Sequence, residues 1–456
     1  MRKGDFRFCA VIAALLLFAA CFALVSPSAV HAADAKLQPL FNEVTKLSGQ
    51  DAIDFFKSLP GRGLTDGQIL QFFIDLPVSQ ANPDIYKMYV DEGFEIYAQV
   101  YPRGESYGGF ELAGGGADFV GPYSGWPMKL PYSEYISSPE GPVGDAGKNY
   151  KIAFVAAGMK SAWSTSMHDS IKYEAQRHPN VTVDVYDYEY DNNKLSNVID
   201  NVIAQKVDGI VLWPANEAPS GPPVQRAEGA GIPVVTIDRV AGTPRYTNRC
   251  AGNFTANGAQ NAMYLLQQLS DEGNYDCNIV LLRKPLGSTA DAIRIGYFLK
   301  PLSYVPGVKV IQSYFDTSDK PTAFANSQAA IQAHKRIDAV MTDGDYEGVA
   351  MLNALQLAGR LKSRPGDKQV IILNVDDSKE AVNLVKIGDI ATNAPYTPLM
   401  ADVGLRVLLK KLTGDPLPQD IIFPNIRIIT QDGRTLFGMK TQTPDEWYQF
   451  TFGPKI

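Results

Sequence analysis

The fold class predicted for this chain is α/β: two Rossmann-like, doubly wound parallel-sheet lobes preceded by a mostly helical, loop-rich N-terminal extension. Three observations point to it. From Tyr150 onward, short β-rich runs alternate with stretches of helical spacing roughly every 25 to 30 residues, the mark of βαβ units. The rhythm breaks at Gly242-Thr243-Pro244 and then restarts, so one architecture occurs twice. Residues 33–148 do not share it.

The first 32 residues read as a secretory leader, not as part of the fold. Arg2, Lys3 and Arg7 precede an apolar run from Cys9 to Val25, and "SPSAVHA" closes with the small residues of a cleavage site, so cleavage is expected after Ala32. An uncleaved anchor, or a lipid on Cys21 of "FAAC", are the alternatives. The extension comes next, with helix-like pieces "LQPLFNEVTKL", "DAIDFFKSL" and "DGQILQFFIDL" and then a Gly-, Pro- and Tyr-rich run. Its aromatics argue for order, because disordered segments are poor in them. It is expected to pack on the lobes, where it adds a partner surface, caps the cleft or braces the first lobe.

In the first lobe "YKIAFVA", "VTVDVYD", "DGIVLW" and "PVVTI" are the strands. The helices between them are "STSMHDSIKYEAQRH", "KLSNVIDNVIAQK" and "APSGPPVQRAEGAG", the last confined by Pro222 and Pro223 to the residues beyond them. In the second lobe "NIVLL", "VKVIQSY", "IDAVMT" and "VIILNV" are strands, with helices at "ANGAQNAMYLLQQL", "ADAIRIGYFLKPL", "AFANSQAAIQAH" and "EGVAMLNALQLAG". Open parallel sheets bind ligands at their strand C-termini, so two such lobes imply a cleft between them.

The 456 residues allow two or three domains, and 45% apolar with 20% charged residues is an ordinary soluble composition. A net charge of -7 and a pI near 5.3 argue against nucleic acid or an anionic membrane as partner. Cleavage of the leader leaves Cys250 and Cys277, which in an oxidising compartment are candidates for a disulfide, two free buried thiols being the alternative. The four His residues have no metal-ligand spacing with a Cys, so neither a metal nor a cofactor is expected.

Against this frame "VVTIDRV" stands out: a buried strand ends in Asp238 beside Arg239, two groups costly to bury unless paired or hydrogen-bonded. The motifs "KIAFVAAGMKSAW" (151–163), "DGIVLWPANEA" (208–218), "GIPVVTIDR" (231–239), "DAVMTDGDYEGVAMLNALQLAGR" (338–360) and "VIILNVDDSKEAVNLVKIGDIATNAPY" (370–396) resemble, in order and spacing, the ribose- and galactose-type periplasmic solute-binding proteins of ABC transporters. The resemblance runs from about Tyr150 to about Phe437. It implies a first lobe of 149–250 with about 394–426, a second of 251–393 with about 427–438, and a tail at 439–456, with a three-segment hinge near 240–252, 390–398 and 415–430.

The same resemblance implies the site. Asp238 would accept ligand hydroxyls while Arg239 donates to hydroxyl or ring oxygens. Ser161 and Trp163 fall in the loop after the first strand, Trp163 covering an apolar sugar face, with Ser164 where the family often has a second aromatic. From the second lobe Asp376 and Arg294 match cleft residues, Asp291 sharing the face of Arg294 three positions earlier. Before Asp345 the family commonly has Asn and this chain has Gly344, so Asp343 is expected to take over that hydrogen bonding. Phe315 and Tyr396 would close the far side, where Pro395 replaces a usual Gln. An enzyme is not expected: Arg239 should depress the pKa of Asp238, the wrong direction for a general acid, and no nucleophile elbow or dinucleotide fingerprint occurs. The expectation is a monomeric, periplasmic substrate-binding component of an ABC importer, working with a membrane permease and closing by hinge motion on a sugar or sugar derivative. A ligand-sensing receptor for chemotaxis or signalling, or a binder of a non-sugar metabolite, is the alternative.

Overall fold

A computed structural model of the chain describes residues 36–95, 136, 138–159, 162–243, 245–285, 287–315, 319–376, 378–396, 398, 400–417, 419–423 and 427–447. The expected leader, the anchoring alternative at Cys21 and the Gly-, Pro- and Tyr-rich run of the extension lie outside them. The extension contributes α1 (Gln38–Val44), α2 (Gly49–Ser58), α3 (Asp66–Asp75) and α4 (Pro83–Asp91). Thr65 and Gln68 start α3 with a reciprocal capping box, and Asn82 caps α4.

The first lobe comprises β1 (Tyr150–Ala156), α5 (Ala162–Gln176), β2 (Val181–Asp187), α6 (Asn192–Ala204), β3 (Gly209–Leu212), α7 (Glu217–Gly229), β4 (Val234–Ile237) and β5 (Asn248–Ala251). The second comprises α8 (Phe254–Glu272), β6 (Cys277–Arg283), α9 (Thr289–Leu302), β7 (Val308–Phe315), α10 (Lys320–Ala333), β8 (Ala339–Thr342), α11 (Asp345–Leu357), β9 (Ile371–Val375), α12 (Lys379–Ile387) and β10 (Thr392–Ala394). Then come α13 (Ala401–Leu412), β11 (Asp420–Ile422), β12 (Ile429–Thr430), β13 (Thr435–Leu436) and β14 (Met439–Lys440).

The sheets have matching orders, β11-β5-β4-β3-β1-β2 and β12-β10-β9-β8-β6-β7. All pairings within them are parallel except β10 with β12. The central strands β3, β4, β8 and β9 are buried along their whole length, as strands covered by helices on both faces must be. The edge strand β2 instead alternates toward solvent. The chain passes between lobes at 252–253, between β10 and α13 (a crossing that includes Pro395 and Tyr396), and between β11 and β12, each crossing joining a strand of one sheet to an element of the other lobe. Gly404 brings α13 down onto the first sheet, where an added Cβ would lie 2.8 Å from Ile237.

The structure corrects several expectations. The helix at Pro222 and Pro223 does not wait for them but starts at Glu217. Gly221 and Gly242 let the loop after β4 approach so closely that the Gly242 N–H donates to the Glu217 carbonyl at 2.6 Å, and Ser220 Oγ donates to the same oxygen at 2.7 Å. Cys250 and Cys277 form no disulfide: each is a buried, unbridged cysteine, one in β5 of the first sheet and the other opening β6 of the second. The extension braces both lobes: its end at 138–148 sits on the first, where the Gly141 N–H donates to the Arg177 carbonyl at 3.0 Å and the Val143 N–H to Asn180 Oδ1 at 2.9 Å, and its helices at 36–95 seat on the second. Its Phe56 and Phe73 meet Phe437 at 5.8 and 5.4 Å, and Phe56 meets Tyr304 at 6.0 Å. Asn82 Nδ2 donates to the carbonyls of Val305 and Val308 at 2.8 and 2.7 Å, and Tyr304 OH donates to the Pro77 carbonyl at 3.0 Å. Residues 439–447, expected as a tail, continue the chain through β14, and the Lys440 N–H donates to Asp66 of the extension at 3.2 Å.

Candidate functional site

Asp238 and Asp376 hold equivalent places, one residue past β4 and one past β9. Both backbones turn left-handed there, with φ of 67° and 72°, a conformation Asp tolerates better than most residues. Their N–H groups donate to matching acceptors, the Cys250 carbonyl at 2.9 Å and the Ala394 carbonyl at 3.0 Å. The turn takes each carboxylate off the strand axis at the strand's C-terminal tip, where the two lobes face one another.

Asp238 is buried and hydrogen-bonded. Trp213 Nε1 donates to its Oδ2 at 2.9 Å, Tyr396 OH donates to its Oδ1 at 2.8 Å, and Arg239 Nε lies 3.6 Å away. Arg239 is held by the Ala215 carbonyl, and the Ala215 N–H in turn donates to Tyr188 OH at 2.6 Å. Tyr396 comes from the crossing between β10 and α13, so a first-lobe carboxylate is fastened to the hinge itself.

In the second lobe Arg294 projects from α9 and joins two acids. Its Nη1 donates to Asp343 Oδ1 at 3.0 Å and to the Asp343 carbonyl at 2.9 Å; its Nη2 donates to Asp376 Oδ1 at 3.2 Å. The guanidinium also lies over the rings of Phe254 and Tyr396, 5.0 and 4.8 Å from their centroids. Burial pushes the Asp376 carboxyl up to about 6, against the pull of Arg294, while the neighbouring charge of Asp345 pushes it further the same way.

An aromatic wall joins these groups. Trp163 Nε1 donates to the Tyr396 carbonyl at 3.2 Å, and its ring lies 5.3 Å from Trp213 and 6.3 Å from Tyr396. Tyr396 stacks on Phe254 at 4.7 Å with planes 14° apart, and Tyr190 meets Trp213 edge-on at 6.0 Å. Three buried polar atoms of the charged set have no hydrogen-bond partner among the described residues: Arg239 Nε, Arg294 Nε and Asp343 Oδ2. Two donors and one acceptor are the complement a hydroxylated molecule offers.

Trp163, Asp238, Arg239, Arg294, Asp343, Asp376 and Tyr396 are thus brought together. Asp345 opens α11 and acts on Asp376 through its charge. Asp291 and Phe315 gather round Arg283, and the charge of Asp343 acts on Asp291. Asp291 accepts from Arg283 Nη2 at 2.6 Å, Arg283 lies over the Phe315 ring at 4.6 Å, and Glu92 of the extension closes the ion pair from the other side. Ser161 lies outside the described residues. At Gly344 a Cβ would sit 2.5 Å from Lys284 Nζ and from Glu347 Oε2, so that place is filled by the Lys284–Glu347 ion pair, 2.6 Å long, while Asp343 is taken up by Arg294. Sequence reasoning missed Trp213, Phe254, Tyr190 and Lys284. Trp213 follows β3 and Lys284 follows β6, so the rule that found Asp238, a polar or aromatic residue directly after a buried strand, would have found these two as well.

Residues 152–416 match the family described as the periplasmic binding protein domain. A xylitol-binding protein from Mycolicibacterium smegmatis is 28% identical over 244 residues, 51% of this chain and 65% of that protein, so the match spans less than two thirds of the relative's length. A ribose import binding protein from Bacillus subtilis is 23% identical over 252 residues, 55% of this chain and 77% of that protein. Among solved structures, a Mycobacterium smegmatis protein in complex with β-D-fucofuranose superposes with a TM-score of 0.58 at 22% identity, covering 62% of this chain and 91% of the other. A Bacillus halodurans solute-binding protein with bound myo-inositol gives 0.56 at 19% identity, covering 63% and 96%.

Proposed function

The chain belongs to the periplasmic binding protein domain family, and from that membership we propose that it is the substrate-binding component of an ABC importer, closing on a small polyhydroxylated ligand, a sugar or sugar alcohol, between its lobes. The observation that carries the reading is the pairing of two left-handed strand-end carboxylates, Asp238 and Asp376, each with an arginine, round one wall of aromatic rings. Every ligand hydroxyl both gives and accepts a hydrogen bond, and an acid beside a guanidinium serves both halves. The aromatic faces cover the C–H surfaces that remain. The ligands of the xylitol- and ribose-binding relatives belong to the same chemical class.

The protein acts by binding and not by catalysis. Arg294 and Arg239 engage the two carboxylates, so neither stands as an isolated pair flanking a scissile bond. It works in the periplasm as a single chain, delivering ligand to a membrane permease that reads the closed shape. Thermal shift of the purified chain against xylitol, D-ribose, myo-inositol and small apolar metabolites tests the reading, because a ligand that binds only the native state raises its melting temperature. A shift with a polyol is expected. A shift with an apolar compound and none with any polyol would overturn the ligand class.

A further inference from the structure

Glu217 opens α7 in the first lobe, and its carboxylate reaches the second. Its Oε1 accepts the Thr289 N–H at 3.3 Å and also the Thr289 hydroxyl. Thr289 is the first residue of α9, the helix that carries Arg294, and both Glu217 and Thr289 are buried. The N–H groups of a helix's first turn have no partner inside the helix. In α9 one is taken from within its own lobe, by Ser288 Oγ accepting from the Asp291 N–H at 3.4 Å; another is taken by Glu217 from across the cleft.

Glu217 also sits in the loop that positions the first lobe's binding pair. Within 213–217, Trp213 donates to Asp238, the Ala215 carbonyl holds Arg239, and Glu217 makes the crossing contact. Burial pushes the Glu217 carboxyl up, and the charge of Arg239 is the largest influence opposing that shift. One short loop thus joins Arg239 and Asp238 to the contact between lobes.

We infer that Glu217 is an interlobe latch, a positioning residue that caps α9 of the second lobe and so couples occupancy of the Asp238–Arg239 pair to closure. The inference rests on the binding-protein reading above. In the open form Glu217 and Thr289 each return to water; closing exchanges those water contacts for each other and for a satisfied helix end.

The test is interlobe distance, by energy transfer between dyes on the outer faces of the two lobes of the full chain, together with dissociation rates of xylitol and D-ribose. Glu217→Ala is expected to shift the distance outward in the ligand-free chain and to speed dissociation roughly tenfold, with association little changed. Glu217→Gln, which keeps an acceptor for both Thr289 donors, should retain most of the closure. Thr289→Val should reproduce part of the loss from the other lobe and add little in the double variant. Unchanged distance and dissociation in Glu217→Ala would overturn the latch while leaving the binding reading intact. If neither probe binds the wild type, the ligand-free distances decide the latch by themselves: an outward shift supports it and no shift overturns it. Should Glu217→Ala fail to fold, Thr289→Val with the same readouts decides.

Discussion

Asp238 keeps a left-handed backbone with φ of 67° and accepts hydrogen bonds from Trp213 and Tyr396, so its removal does more than empty a binding position. Asp238→Ala leaves two buried donors unpaired, at about 1–3 kcal/mol each, and is expected to lower the melting temperature while the protein still unfolds cooperatively and no longer binds polyols. Calorimetric titration with undiminished affinity would make the pair purely structural. Asp376 supplies a pH prediction. Burial raises its pKa from 3.8 to about 6. A hydroxyl donating to it favours the ionised form, so ligand affinity should climb as pH rises through 6 and level off above, and titrations between pH 5 and 7.5 check this. The folding contribution of the same group runs oppositely: present below its ordinary value of 3.8, it is lost as pH rises through about 6. Asp238 and Arg239 were legible because an acid and a base at the end of an apolar run stand out, whereas Arg294 and Asp376 came from the resemblance to the family. Trp213 and Phe254 were not legible, because an aromatic beside a buried strand looks like core until its neighbours are known.

Among the elements, β1 to β4, β6 to β9 and the helices between them were read from the sequence within a few residues, and α4, α12, α13 and the strands β5, β10, β11 and β12 were not. Those four strands run two to four residues and carry Asp, Asn, Arg or Thr among their apolar members, too little for a period to register. They exist because the neighbouring strand offers an open edge. The start of α7 was misread as well: the helix begins five residues before Pro222, at Glu217, whose carbonyl takes its partner Gly242 from another segment. The packing of α8 on α9 is tight at Gly258, where an added Cβ would overlap the Arg294 carbonyl and lie 2.9 Å from the Phe298 nitrogen. Both atoms are backbone and cannot swing aside. Gly258→Ala should therefore force the helices apart, cost about 1–3 kcal/mol, and weaken ligand binding by moving Arg294. Unfolding in denaturant and a titration on the same sample measure the two effects together.

The helices of the extension and the second lobe fold against each other as one body of packing. Phe56 and Phe73 meet Phe437, Phe56 also meets Tyr304, Phe72 backs Phe56 and Phe73, and Asn82 fills carbonyl acceptors between α9 and the start of β7. Asn82→Ala leaves those two carbonyls without their donor and should cost about 1–3 kcal/mol. Hydrogen exchange is expected to quicken in 36–95 and 303–308 and to stay unchanged in β1–β4; acceleration in β1–β4 would contradict the seating of 36–95 on the second lobe. Local pattern was enough to establish two parallel-sheet lobes, a cleft between them and an acid at the tip of β4, because burial periodicity and strand ends are properties of neighbouring residues. Three-dimensional packing decided the rest: that Tyr396 binds Asp238 from 158 residues away, that Arg283 pairs with Asp291, that the two cysteines stay unbridged, and that the helices of the extension seat on the second lobe. Those outcomes depend on which distant surfaces meet and which polar groups are left needing partners, and no stretch of chain carries that information alone.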